Sequence, residues 1–207
     1  MKRINRILSL IFLILSLLIP LLCSSQNKTH SCSINFKIGF AGPLSETTFS
    51  KYWFSPINIS LSGLKQLHNN LSAGLELNYC RFIPYDFLRL KSGLHIFNPN
   101  IITDYSILLF KKLLLIPEIS LGYSWLTLTN RITPVQYLKP YNESGFSIRP
   151  GLTIGYLFKK GISLGLSSSY NEIFTRFGVD NSNLYENRKE ADHISYLSLN
   201  LHLGFKI

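Results

Sequence analysis

His193 and Ser195 stand two residues apart, so a strand that carries them presents both on one face. A hydrolase uses these residue types as general base and nucleophile, and Glu190 and Asp192 precede them as candidate acids. The chemistry they would support is hydrolysis of a lipid ester. Against it, a His-x-Ser triplet arises readily by chance and no acid follows it in the chain. The simpler reading is that both residues begin the last strand at a loop edge. A second set is dispersed: Glu76, Arg89, Lys91, His95, Glu118 and Arg149, lone titratable groups with Gly, Ser or Asn nearby. Gathered in one interior they would form either a salt-bridged plug or a polar path for a ligand or ion, and the plug is favoured. His30, His68, His95, His193 and His202 are scattered and no Cys-x-x-Cys spacing occurs. No phosphate loop or dinucleotide fingerprint is found. The sequence therefore assigns no catalytic, cofactor-binding or metal residue, and no cofactor is expected.

The elements that must position these groups follow a period of two. From Leu197, the odd positions Leu197, Leu199, Leu201, Leu203, Phe205 and Ile207 are apolar, and Ser198, Asn200, His202, Gly204 and Lys206 alternate with them. Successive side chains of a strand point to opposite faces, so this is a strand with one apolar and one polar side. The same alternation runs through residues 34–40, 71–79, 88–96, 115–127, 145–158 and 161–170. In 88–96 it sets Leu88, Leu90, Leu94 and Ile96 against Arg89, Lys91, Gly93 and His95.

Strands of about ten residues with one apolar face build either a soluble sandwich or a transmembrane barrel. Three features favour the barrel. Tight turns at Phe158-Lys159-Lys160-Gly161 and Phe110-Lys111-Lys112-Leu113 contrast with long polar stretches at 129–143 and 176–192. Aromatics gather near strand ends, at Tyr79, Phe82, Phe97, Tyr123, Trp125, Tyr156, Phe158, Tyr170, Phe174, Tyr196 and Phe205, as interfacial girdles do. The chain also stops inside its last strand, where Leu201, Leu203, Phe205 and Ile207 would serve as a terminal assembly signal. The expectation is an all-β, antiparallel, up-and-down transmembrane β-barrel. Its strands fall near 33–41, 70–82, 86–97, 102–110, 113–128, 144–158, 161–174 and 193–207. That makes eight, with 57–64 either a ribbon above the membrane or part of a ten-stranded alternative.

The chain has 207 residues, 15% of them charged and 46% apolar, with mean hydropathy +0.16. That excludes a disordered chain. The net charge of +10 comes from scattered Lys and Arg, which gives no footprint for nucleic acid. Three cations precede a nearly unbroken apolar run from Ile7 to Leu22, and Cys23-Ser24-Ser25 then supplies small residues. This reads as a cleaved signal peptide over 1–25, leaving a barrel domain over 26–207. Loss of Lys2, Arg3 and Arg6 leaves 18 basic and 11 acidic residues, a net +7. Cys32 and Cys80 then remain, and spacing alone leaves open whether they are bridged.

With its N-terminal signal, Gly-rich strands such as Gly151-Leu152-Thr153-Ile154-Gly155-Tyr156, Lys-Lys turns and aromatic last strand, the chain resembles the PorT-like, small outer-membrane β-barrel proteins of Bacteroidetes type. It departs from them at Ile207, where an aromatic is usual. The resemblance implies fold and an outer-membrane location in a Gram-negative bacterium, and carries over no functional residue. Its partners would be outer-membrane lipid, the barrel-assembly machinery, and an extracellular or secretion-system protein at 129–143 and 176–192. The function expected is structural or interactive. A narrow solute pore, an accessory secretion factor and, last, a lipid-modifying enzyme are the alternatives.

Overall fold

The computed structural model describes residues 31–44, 53–84, 93–129, 141–158, 161–177 and 191–207. The expected segment 1–25 lies outside them, as do Arg89, Lys91 and most of the stretches 129–143 and 176–192. The strands are β1 (Cys32–Pro43), β2 (Trp53–His68), β3 (Leu71–Pro84), β4 (Gly93–Tyr105), a short β5 (Ile107–Leu109), β6 (Leu113–Thr129), β7 (Tyr141–Leu157), β8 (Ile162–Phe177) and β9 (Ala191–Lys206). All pairings are antiparallel. The order β4-β3-β2-β1-β9-β8-β7-β6 closes through β4–β6, and β5 continues the line of β4 along β6. The result is a closed eight-stranded transmembrane β-barrel with no free edge. Pairing of Phe36 with Leu203 and of Ile38 with Leu201 joins the first strand to the last.

The expected number of strands is correct, but their identities change. Residues 57–64 lie within β2, a full member of the wall between β1 and β3. The two strands expected near 86–97 and 102–110 are largely one, β4. Asn98, Pro99 and Asn100, which fall between those two expected strands, each pair across to β3, at Asn78, Leu77 and Glu76. Asn98 and Asn100 point inward, where both amide NH2 groups donate hydrogen bonds and Asn100 accepts one from Ser147.

Short connections gather at one end of the barrel. Asn69 and Asn70 join β2 to β3, with Asn69 at φ 39°. Gly161, at φ 75°, closes the approach to β8, a conformation that glycine adopts without steric cost. Both chain termini of the barrel meet here, where the Cys32 and Ile207 backbones exchange hydrogen bonds. The long connections all leave from the opposite end.

The outward face carries the apolar band. Ile38, Leu121, Ile154, Leu166, Leu199 and Leu201 are all exposed, Leu166 to 66%. A continuous belt of such residues is tolerated in lipid and not in water. Among the described residues no helix is long and apolar enough to cross a membrane; this chain crosses with strands. Phe97 stacks on Trp125, with ring centroids 5.9 Å apart, and Tyr123 meets Trp125 edge-on. Phe146 stacks on Phe174, and at the turn end Tyr156 meets Phe158 at 4.9 Å. These pairs form girdles of the expected kind.

At the long-loop end the polarity inverts. β6 and β7 have 17 residues each, well beyond the roughly 9–11 that cross a bilayer. Beyond the girdle their outward residues and those of their neighbours turn polar: Arg81, His95, Thr127 and Ser144. Their inward neighbours turn apolar: Cys80, Phe82, Leu94, Ile96, Leu126, Ile173, Ile194 and Tyr196, all between 0% and 3% exposed. Three expectations change here. Phe82 and Tyr196 belong to this inner core, packed edge-on at 5.3 Å, and not to a girdle. Leu94 and Ile96 face inward. His95 faces outward, where its Nδ1 lies 2.8 Å from the Tyr79 hydroxyl. The physical reason is that the alternation of a strand is continuous, whereas the solvent on its two sides changes along its length.

Candidate functional site

The lumen is layered. Nearest the turn end, Ser33, Asn35, Ser72, Asp104, Ser163 and His202 line the wall. Above them lie four paired charges. Lys37 of β1 is ion-paired with Glu118 of β6, and Arg149 of β7 with Glu76 of β3. Glu76 also accepts a hydrogen bond from Ser60 and one of 3.0 Å from Ser120. All four charged residues are buried or nearly so, Glu76 to 1% exposure and Arg149 to 5%. Buried ions of opposite sign need such pairing, because isolated charges are too costly to desolvate.

A rung of amides and hydroxyls follows. Asn58 donates to Asn200 at 2.8 Å, Asn78 to Asn58 at 3.0 Å and Asn98 to Asn78 at 3.4 Å. The chain thus crosses β9, β2, β3 and β4. Ser169 and Ser198 are 2.6 Å apart between β8 and β9, and Ser147 donates to Asn100 at 3.3 Å. Gly39 makes this rung possible: a Cβ there would stand 2.7 Å from the Asn200 side-chain oxygen. The apolar layer described above then covers the rung at the long-loop end, with the Asn98 amide reaching up to the Tyr196 hydroxyl at 3.4 Å.

Of the expected interior set, the structure brings together Glu76, Glu118 and Arg149. His95 lies on the outer surface instead, and Arg89 and Lys91 are outside the described residues. The sequence set omits Lys37 and Asp104. Lys37 carries the same signal as its partners, a lone charge on the polar face of 34–40. Asp104 sits in a segment whose alternation is obscured by Ile107 to Phe110.

His193 and Ser195 share the outer face with two residues of β8. Glu172 is directly opposite Ser195, and its Oε1 lies 3.9 Å from His193 Nε2. The Tyr170 hydroxyl donates to Glu172 and is hydrogen-bonded to Ser195. An acid does therefore stand beside the histidine, Glu172 of β8, while Glu190 and the side chain of Asp192 lie outside the described residues. The Ser195 hydroxyl is engaged with Tyr170, and Ser195 is only 6% exposed. These four residues form a polar chain at the rim of the wall. No disulfide joins Cys32 to Cys80, and Cys80 is buried with its Sγ 3.1 Å from the Ser55 hydroxyl.

No protein-family model matches the chain, and no curated protein matches it by sequence. Solved structures do. A major outer membrane protein from Thermus thermophilus superposes with a TM-score of 0.57 at 10% identity, over 86% of this chain and 100% of that one. Neisserial surface protein A superposes with a TM-score of 0.53 at 10% identity, over 86% and 97%. The fold is that of a small outer-membrane β-barrel. At such identity the likeness speaks for the architecture, and the lumen must be read from this chain's own residues.

Proposed function

We propose that this protein is a closed, non-conducting outer-membrane barrel of structural or interaction type, which holds its long loops at the cell surface. One observation carries the reading: an apolar layer sealing a lumen that is crossed by the buried ion pairs Lys37–Glu118 and Arg149–Glu76. An open channel keeps a continuous polar path, and eight strands enclose only enough space for side chains to fill. Here the path ends at Phe82, Ile96, Leu126 and Tyr196, each at most 1% exposed. Short turns face the periplasm in barrels of this kind and long loops face outward. The segments 129–143 and 176–192 then become the surface offered to a partner. Purified protein in planar bilayers is expected to give no stepwise conductance. Regular ion steps would mean that the lumen opens and would overturn the reading.

Membership of the PorT-like group goes with this proposal, on the strength of the Gly151–Tyr156 strand, the Lys-Lys turns and the terminal aromatic strand. It would make the protein an accessory to secretion. A deletion strain is then expected to lose secreted cargo while keeping normal permeability, and intact secretion would remove the accessory role.

A further inference from the structure

The charge layer does not balance. Two cations, Lys37 and Arg149, are taken by Glu118 and Glu76, yet a third carboxylate faces the same lumen. Asp104 of β4 is directly opposite Glu118 of β6, and both point inward. Like charges so placed repel one another. Lys37 feels the field of Asp104 but makes its contact with Glu118.

Asp104 is 7% exposed. It accepts a hydrogen bond from Ser72, while its Oδ1 is buried without a hydrogen-bond partner. The residue lies on the wall of a cavity of about 150 Å³ at the turn end. Around it stand Ser33, Asn35, Asn70, Ser72 and Ser163, with Lys206 also on the wall but itself exposed. The polar part of this wall, which it shares with Leu114, Ile116, Leu157 and Phe205, carries carboxylate, amide and hydroxyl oxygens, which are hard donors, and no thiolate. Asp104 therefore stands on the wall of this cavity with one carboxylate oxygen left without a hydrogen-bond partner.

We propose that this vestibule binds a hard divalent cation, of the Ca²⁺ or Mg²⁺ class, with Asp104 as its charged ligand. The cavity holds the ion together with several of its waters, the manner in which Mg²⁺ is usually kept. The ion neutralises the Asp104–Glu118 repulsion from the side that Lys37 leaves open. Among the described residues no cluster of three or more acids, imidazoles or thiols forms. One carboxylate sets a low affinity, on the order of 1 mM. A site of that strength responds to the ion content of the compartment bathing the turn end. The inference does not depend on the barrel being closed, since the vestibule lies on the turn side of the charge layer.

The test uses the full mature chain in phosphatidylcholine nanodiscs, which carry no net headgroup charge to gather cations. Its thermal unfolding midpoint is followed while CaCl₂ or MgCl₂ replaces NaCl at constant ionic strength. The wild-type midpoint is expected to climb through the low millimolar range, since a ligand bound only by the folded state stabilises it. Asp104→Asn, which keeps the Ser72 contact and removes the repulsion, is expected to fold and show no climb. An equal climb in Asp104→Asn would place the cation elsewhere and overturn the proposal. So would a flat wild-type response, most plainly with an infrared band of a protonated carboxyl that Asp104→Asn removes, because a proton would then be the counter-charge.

Discussion

Replacing Glu76 with Ala is expected to cost the folded barrel about 3–5 kcal/mol, the usual loss when one partner of a buried ion pair is removed. The cost lies in what remains. Arg149 would stay in the lumen at 5% exposure with its counter-charge gone, and Ser60 and Ser120 would lose their acceptor. The other carboxylate of the charge layer, Glu118, is already held by Lys37. Reversible urea unfolding from lipid vesicles measures the loss. Arg149→Met alone should be similarly damaging, because it strands Glu76 instead. The double variant Glu76→Ala with Arg149→Met should recover much of the stability, since no ion is then left in the lumen without its partner. Non-additivity of that sign identifies a dry, coupled pair. If each single variant cost less than about 1 kcal/mol, as solvent-exposed pairs do, the lumen would be wet. The closed reading would then fail together with the pairing.

Much of this fold is legible in the sequence because a barrel in lipid leaves a period-two imprint. The last strand shows why. Every odd residue from Leu197 to Phe205 meets lipid, and every even one from Ser198 to Gly204 meets a polar lumen, so pattern and environment coincide along the whole segment. β4 shows where this stops. It begins beyond the membrane and ends within it, so Leu94 and Ile96 point into an apolar core while Asn98 and Asn100, of the same parity, point into a polar rung. Hydropathy alone assigns those two halves to opposite faces and breaks the strand at Asn98-Pro99-Asn100. The candidate site suffers in the same way. Glu76, Glu118 and Arg149 lie on strand segments within the band and are found by parity. His95 lies beyond it and is misplaced by one face. Which cation meets which anion is not legible at all, because the pairs Lys37–Glu118 and Arg149–Glu76 join strands that are not neighbours in the wall. They meet across the lumen, at a distance set by barrel closure and not by sequence spacing.

The inversion also separates two phenylalanines that the sequence treats alike. Phe82 and Phe97 both stand near strand ends where a girdle is expected. In the structure Phe82 is fully buried against Tyr196, while Phe97 lies on the outer face against Trp125. Phe82→Ala is therefore expected to cost about 3–5 kcal/mol, the range for emptying a large aromatic site in a packed core. The loss should be nearly the same in detergent and in bilayers, because Cys80, Leu94 and Ile96 surround the site and lipid does not reach it. Phe97→Ala is expected to cost less, and its cost should change with the thickness and headgroups of the lipid, as interfacial anchors do. Unfolding midpoints of both variants in two lipid compositions and one detergent settle the matter. Matching, lipid-dependent losses would put Phe82 in the girdle, return the apolar layer to the membrane side of the wall, and leave the lumen without its seal. A lipid-independent loss confined to Phe82 would place the edge of the membrane where β3, β4 and β6 exchange their polar and apolar faces. The segment beyond that edge is then a small water-exposed barrel with its own hydrophobic core, on which the long loops are carried.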